Sequence, residues 1–539
     1  MKKLYVLMFA LLTSVVAMAQ VTTSNMSGKI TDANGEPLVG ATVIAVHTPS
    51  GTEYYAVANT NGEYRLGNIR PGGPYTITVE MLGYRSLERQ GVTASLAETL
   101  TYDVQMVEES QSMETIVVLA DGPNSNMRTA NAGAVTAVSR EAIANTPSLS
   151  RSMNDIMRLS PQSMTTGNGF AVGGGNYRQS FVTVDGASFN NTFGIGENLP
   201  GGGSPISLDA LEQISVSVTP YDVRQSGFTG GAINAVTKSG TNEFKATVYD
   251  YYQDEALKGA HYGVTDETGM YKRLNKSKQI NNTTGISVGG PIVKDKLFFF
   301  ANFEYDMDET PGSTRQARPD ENTAWGNGTT YNRPTVAQME DIKKFLMEKF
   351  GYDPGRYQGY SLSTPDWKLV ARLDWNINKN HSANVRFSTT RNKYSSNPSS
   401  SVNPLNPNPY NRNNYGRTSQ YAIYFESSRY FQEQNFTSFA AELNSRFLDG
   451  RLTNTLRGTY SKQYEPRSFV GDNFPTVDIL QNITNEDGSE TKALLTSFGP
   501  DPFTYGNLRD VTTTVITDEI AYTTGKHNIA TFILEVQHC

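Results

Sequence analysis

From about residue 243 the chain alternates apolar and polar residues over long stretches, and few folds tolerate that pattern. In "DWKLVARLDWNIN", Trp367, Leu369, Ala371, Leu373, Trp375 and Ile377 point one way, while Lys368, Arg372, Asp374 and Asn376 point the other. The cause is strand geometry, in which successive side chains face opposite sides of a sheet. The apolar face must therefore meet a second sheet or lipid. Trp367 and Trp375 stand about 26 Å apart along an extended strand, or about 20 Å after a barrel tilt near ~40°. That is close to the spacing of two aromatic girdles around an apolar band of about 25 Å, which favours the membrane face.

Loop lengths carry the same argument further. Strands are expected near 243–253, 282–290, 297–306, 366–377, 382–393, 434–447, 451–463, 511–524 and 527–535. Their connections alternate: "PIVKDK", "NKNH", "LDG" and "GK" are tight, and the others run to tens of residues. Bacterial barrels sort their loops this way, with short periplasmic turns and long external loops; a soluble sandwich has no reason to. The run "QYAIYFESSRYF" at 420–431 is assigned to loop structure, since a strand there would put the long 464–510 loop on the periplasmic side. Within the loop after Tyr305, "TVAQMEDIKKFLMEKFG" reads as a capped helix, with Thr335 and Gln338 as a capping box and Gly351 as the stop. Met339, Ile342 and Leu346 on it are expected to pack locally.

The N-terminus carries Lys2 and Lys3, then the apolar run "LYVLMFALLTSVV", then Ala17-Met18-Ala19 before Gln20. This is a secretory signal peptide over residues 1–19, cleaved between Ala19 and Gln20. With Cys539 the only cysteine, no intramolecular disulfide forms. A net charge of −7 without a basic block argues against a nucleic-acid partner. The histidines at 47, 261, 381, 527 and 538 are scattered, and no Ser-His-Asp order or metal set suggests itself. No enzyme activity, catalytic residue, metal or cofactor is expected.

Residues 26 to about 107 alternate short β-prone runs with turns; Asn34-Gly35 and Asn61-Gly62 supply the positive φ that tight turns require. This pattern predicts a small β-sandwich. The segment resembles the carboxypeptidase regulatory-like domain, on Gly28-Lys29-Ile30-Thr31-Asp32, Gly35-Glu36-Pro37-Leu38-Val39-Gly40-Ala41, Thr60-Asn61-Gly62-Glu63-Tyr64 and Gly83-Tyr84. A structural or docking role is expected, because fold does not imply function. Residues 130 to about 240 have few charges and many Gly and Ser. In "TPSLSRSMNDIMRLSP", Leu149, Met153, Ile156 and Met157 recur at helical spacing and Pro161 ends the run. "AVTAVS", "FVTVDG", "QISVSVTP" and "GAINAVTKSG" are each strand-sized, giving a compact α+β domain. The glycine stretches "GFAVGGGNYRQ" and "GIGENLPGGGSP" lack the Lys-Ser/Thr of a phosphate loop and read as flexible loops.

This order of parts resembles the TonB-dependent receptor family of outer-membrane transporters, and within it the Oar-like receptors. The matches are Asp155-Ile156-Met157 before Pro161, the "VTVDG" run with Asp185 and Gly186, and Leu211, Glu212, Ile214 and Val216 where the family has "IExIxV". Gly230, Gly231, Ile233, Asn234, Thr237 and Lys238 stand at the "GGxINxxTK" end of the plug. The stretch "VTPYDVRQ" departs from the turn common in siderophore receptors and points to the Oar-like branch. The resemblance makes "METIVV" a TonB box, with Glu114, Thr115, Ile116, Val117 and Val118 matching residue by residue and Glu in place of the usual Asp. Such a segment suits β-augmentation, its backbone groups being free to pair with a partner's edge strand; the flanking polar residues favour an exposed tether over an ordinary strand of the sandwich or plug.

The fold class expected is mainly β. It comprises a signal peptide (1–19), an N-terminal β-sandwich (20–107), a linker with the TonB box (108–125), an α+β plug domain (126–242) and the N-terminal part of a transmembrane antiparallel β-barrel (243–539). The resemblance implies an outer-membrane transporter that takes up a ligand with inner-membrane energy. Its partners would be the TonB complex, outer-membrane lipid and an extracellular ligand; the alternative is a surface adhesin or assembly protein without transport. Loops rich in Tyr, Asn and Gly suit sugars, peptides or metal chelates equally, so no ligand is assigned. A barrel that holds a plug has about 22 strands, and the family's terminal aromatic is missing from "ILEVQHC". A fragment or truncated reading frame is therefore expected.

Overall fold

Short β-branched runs cut by Gly and Asn turns fold residues 24–105 into two facing sheets. The strands are β1 (Ser24–Thr31), β2 (Thr42–His47), β3 (Thr52–Val57), β4 (Glu63–Ile69), β5 (Gly72–Glu80), β6 (Leu87–Ala94), β7 (Thr99–Thr101) and β8 (Val104–Gln105). One sheet contains β4, β1 and β7, with β8 beside β1; the other runs β3-β2-β5-β6. The alternating inward residues Met26, Ile30, Val43, Ala45, Ile77 and Val79 form their shared core. Asp32 fixes the first turn by accepting from the backbone N–H of Asn34 and Glu36, and Gly62 takes φ 74°.

The computed structural model describes residues 21–109, 116–119, 128–130, 134–148, 151–193, 196–218, 228–258, 262–264, 271–273, 278–326, 329–399, 417, 419, 421–484, 488–502, 504, 506–524 and 527–533. The signal peptide, with Ala19 and Gln20, lies outside these residues, as do Glu114 and Thr115.

Two further strands attach to the sandwich. Strand β9 (Ile116–Leu119) pairs in parallel with β6, and β10 (Arg128–Ala130) pairs antiparallel with β7. The exposed-tether expectation for Ile116, Val117 and Val118 is thus corrected: their backbone lies in a sheet. The physical reason is that β6 would otherwise be an unpaired edge, and a β-branched run nearby satisfies it.

A second unit follows, built on a sheet ordered β11-β16-β17-β14-β15 (Val135–Val138, Leu211–Ser217, Ala232–Thr237, Phe181–Val184 and Ala187–Ser188). These are the four β-prone runs of the sequence plus a short hairpin partner. Ile156, Val182, Val184, Ile214, Val216 and Ile233 are buried together. The helix expected across "TPSLSRSMNDIMRLSP" shrinks to Met153–Met157, because Arg151 adopts φ 46° and interrupts it; Leu149 lies outside the described residues. Gly169–Val172 is a strand paired with Ser163–Thr166, where a loop was expected. Gly201, Gly202 and Gly203 do form a loop, all at positive φ.

Among the described residues, nine antiparallel strands then form a meander in chain order: Lys245–Asp254, Ile280–Val293, Leu297–Pro311, Ser361–Asn376, His381–Ser396, Asn435–Phe447, Leu452–Glu465, Arg509–Thr524 and His527–Ile533. Among the described residues the first and last of these are not paired to each other. Their two faces invert the usual globular rule. Trp375 is 51 % exposed, and Leu373, Phe303, Phe387 and Leu456 are also exposed; Glu304, Asp374 and Arg386 are fully buried on the other side. A sheet with an apolar outer skin and a charged inner wall matches lipid outside and a filled polar lumen inside. Within residues 421–431 the strands are short: Ile423–Tyr424 lies outside this sheet, and Tyr430–Glu433 pairs with the end of His381–Ser396 beside the main path. Helix Val336–Phe350 is capped by the Thr335–Gln338 box and stopped at Gly351 with φ 63°; Met339 and Leu346 are buried in a local cluster with Phe425 and Phe498.

Candidate functional site

The "VTVDG" run places its acid by turn chemistry. Val184 pairs with Ala187, so Asp185-Gly186 is a two-residue hairpin loop with φ 48° and 78°, the positive pair that this tight turn demands. The turn projects the Asp185 carboxylate toward the strand wall. It accepts from the Thr237 backbone N–H at 3.0 Å and from the Thr237 hydroxyl at 2.7 Å. Arg372 Nη1 donates to it at 3.0 Å, and Arg386 Nε lies 3.1 Å from its other oxygen. Gly186 is required by proximity as well, since a Cβ there would sit 2.6 Å from Arg457 Cδ.

The other motif residues divide between two places. Asn234 accepts from the Thr183 hydroxyl at 2.8 Å, beside the same turn. Lys238 binds Asp209 at 3.2 Å, and burial holds its pKa below the ordinary lysine range. Gly230 and Gly231 lie at the far end of β17, where a Cβ on Gly231 would stand 2.5 Å from Val172 Cγ1. The structure therefore brings Asp185, Gly186, Asn234 and Thr237 together, and keeps Gly230 and Gly231 apart from them as a packing pair.

Arg372 extends the set toward the sandwich. It binds Asp374 twice, at 2.9 and 3.0 Å, and Arg70 of the sandwich donates to the same carboxylate at 3.0 Å and to Ser239 at 3.0 Å. A chain of charges, Arg386–Asp185–Arg372–Asp374–Arg70, thus joins all three units. His47 stands beside it: its Nδ1 is 2.7 Å from the Ser50 hydroxyl. Burial, reinforced by Arg70 and opposed by Asp374, pushes its pKa down to about 3. A polar cavity of about 370 Å³ opens at this junction, lined in part by His47, Arg70, Arg140, Glu212 and Arg372.

Further contacts seat both smaller units against the strand wall. Glu304 accepts from Ser207 at 2.7 Å, from Tyr249 at 2.7 Å and from Lys368 at 3.0 Å. On the short-turn side, Thr22 donates to Glu442 at 2.7 Å, Tyr55 to Asn380 at 3.1 Å and Asn68 to Thr455 at 2.9 Å. The sandwich therefore sits across the short-turn mouth of the sheet. Arg70, Arg386, Glu304 and Glu442 were not singled out from the sequence; for Arg386, Glu304 and Glu442 the available signal was their place as charges on the polar side of alternating strands, and Arg70, in the turn after β4, carried none. On the long-loop side, Phe345, Phe350, Phe474, Val477 and Phe498 line an apolar recess of about 610 Å³.

A charged lumen wall, an apolar skin and an α+β unit seated inside define a β-barrel protein of the outer membrane. The chain belongs to the outer membrane beta barrel domain family, which it matches over residues 236–531, more than half its length. Residues 25–107 match the carboxypeptidase regulatory-like domain. The chain is homologous to the TonB-dependent transporter Oar of Myxococcus xanthus, with 25% identity over 394 residues, 71% of this chain and 35% of that protein. It is also similar to the probable TonB-dependent siderophore receptor PirA of Acinetobacter baumannii, 25% identical over 237 residues, 39% of this chain and 28% of that protein. The chain spans about a third of the length of these curated relatives. Among solved structures, the outer membrane transporter YddB from Escherichia coli aligns with TM-score 0.45 and 11% identity, over 72% of this chain and 45% of that one. The siderophore receptor PirA from Acinetobacter baumannii aligns with TM-score 0.40 and 16% identity over the same shares.

Proposed function

We propose that this chain belongs to an importer that uses the TonB energy-transducing complex to draw a ligand through the outer membrane. The observation that carries the reading is the seat of Asp185: the unit inside the strand wall is held there by ion pairs and hydrogen bonds to Arg372 and Arg386. Polar contacts of this kind exchange with water when the unit moves, and they act beside an apolar contact in which Phe189 packs on Phe436 of the wall with ring centroids 4.9 Å apart. Ligand meets the long external loops and the outer end of the plug, and TonB pairs with Glu114–Val118 on the short-turn side. Force on that strand loosens the plug, supplying energy that an outer membrane lacks. No bond in the ligand is made or broken, in keeping with homologues that are transporters and receptors.

The test is Val117→Pro, which removes one ladder donor and leaves the barrel strands untouched. The affinity of purified chain for the periplasmic domain of TonB should fall at least roughly tenfold, the equivalent of one or two backbone hydrogen bonds. Unchanged affinity sinks the TonB-box assignment. A variant that still binds cells or matrix yet shows no TonB dependence at all would favour the adhesin reading.

A further inference from the structure

Strand β9 is not free in the resting protein. Ile116, Val117, Val118 and Leu119 pair in parallel with Leu87, Glu88, Arg89 and Gln90 of β6. Because β6 is otherwise, among the described residues, the edge of the sheet β3-β2-β5-β6, the segment occupies the open side of that strand. The same backbone groups are those that a partner strand would need.

The chain is routed to keep it there. On leaving the sandwich, the backbone is pinned beside the start of β6: Arg85 N donates to Val107 O at 2.9 Å and Glu109 N donates to Gly83 O at 3.0 Å. Ile116 returns beside Leu87, so both ends of the excursion lie at the start of one strand. On the far side, β10 is held by β7 of the opposite sheet. A segment tethered at both ends faces β6 at an effective concentration on the order of millimolar. The pairing is also short and parallel, the less stable kind per residue, so it is reversible.

We propose that the sandwich is an intramolecular competitor of TonB: its β6 edge sheathes the box strand, and TonB engages only when β9 leaves β6. This rests on the TonB-box reading above and adds a latch to it. Because the sandwich is itself bonded to the barrel through Arg70, Tyr55 and Asn68, any motion that undocks it also alters the presentation of the box. The apparent affinity for TonB is reduced by the fraction of molecules with the strand sheathed.

A redox staple tests the latch. In the full chain carrying Cys539→Ser, Gln90→Cys and Leu119→Cys form a disulfide under oxidation, since these two residues are paired just beyond the box and paired strands lie about 4.8 Å apart. Binding of the purified periplasmic domain of TonB is then measured before and after reduction, with each single-cysteine variant as control. The latch requires binding to be lost in the oxidised double variant, by roughly tenfold or more, and restored by reductant. Equal binding in both states, or failure of the two cysteines to cross-link, overturns the latch and leaves the TonB-box reading standing. Absence of binding in the reduced chain and in the single-cysteine controls overturns the TonB-box reading itself, and the latch with it. A peptide spanning residues 110–122, which has no sandwich to compete with, should bind TonB more tightly than the wild-type chain; equal affinity contradicts the latch.

Discussion

Arg372 of the barrel wall donates to the Asp185 carboxylate across 3.0 Å, joining residues 187 positions apart in the chain. Both side chains are nearly inaccessible to solvent, and neither is satisfied by the other alone: Asp185 also holds Thr237 and Arg386, and Arg372 also holds Asp374. Removing one partner of a buried pair leaves the other's charge uncompensated, which costs more than the pair itself contributes.

Asp185→Asn should therefore weaken the seat of the plug by about 3–5 kcal/mol. Hydrogen exchange across residues 181–237 reads this directly. Faster exchange in the hairpin and in β17 is expected, with the barrel strands unchanged; identical protection in wild type and variant would contradict the role given to Asp185.

Arg70→Ala tests the outer end of the charge chain. Asp374 keeps Arg372 as a partner, so the barrel wall should stay intact while the sandwich loses a charged hydrogen bond of about 1.5–3 kcal/mol. Limited proteolysis should separate the sandwich from the barrel sooner than in wild type. Equal cleavage times would mean that the neighbouring contacts of Tyr55 and Asn68 suffice.

His47 makes the docked sandwich sensitive to acid. Its folded pKa, pushed down to about 3 by burial, lies below the ordinary value of 6.5, so the unfolded chain takes up the proton first. Stability is complete above pH 6.5 and is lost as pH falls from there toward 3. At pH 5 the loss from this one group is about 2 kcal/mol. Urea midpoints at pH 7 and pH 5 should converge in His47→Gln relative to wild type; an equal pH slope in both proteins would remove His47 as the cause.

Gly230 and Gly231 should respond unequally to alanine. A Cβ at Gly231 meets Val172 Cγ1 at 2.5 Å, while one at Gly230 meets Gln179 Cβ at 3.2 Å. Gly231→Ala should cost about 1–3 kcal/mol by overpacking, and Val172→Ala in the same chain should recover part of it. Thermal unfolding of the three variants beside wild type checks this, and equal effects at the two glycines would contradict it.

Much of the architecture was legible because its rules are local. Alternation with period two marked the long strands, loop parity separated the two ends of the barrel, and the Thr335–Gln338 box with Gly351 bounded a helix to the residue. Each of these is set by neighbours within a few positions, through side-chain direction, turn φ or a capping hydrogen bond. Where a local rule met a distant partner it failed: the helix pattern around Met153 was cut short at Arg151, whose guanidinium stacks on Tyr249 and Tyr251 of the barrel wall.

By itself the sequence determined that "METIVV" has strand propensity, that "FVTVDG" carries a strand, and that Arg372 and Lys368 face the polar side of their strand. Only the tertiary structure decided that Ile116–Leu119 lies on β6, that Asp185 meets Arg372 and Arg386, and that Arg70 closes the chain of charges from the sandwich. The reason is physical: propensity and periodicity are properties of a few consecutive residues, whereas the partner of a buried charge or an open strand edge is chosen by which distant groups the fold brings within hydrogen-bonding distance.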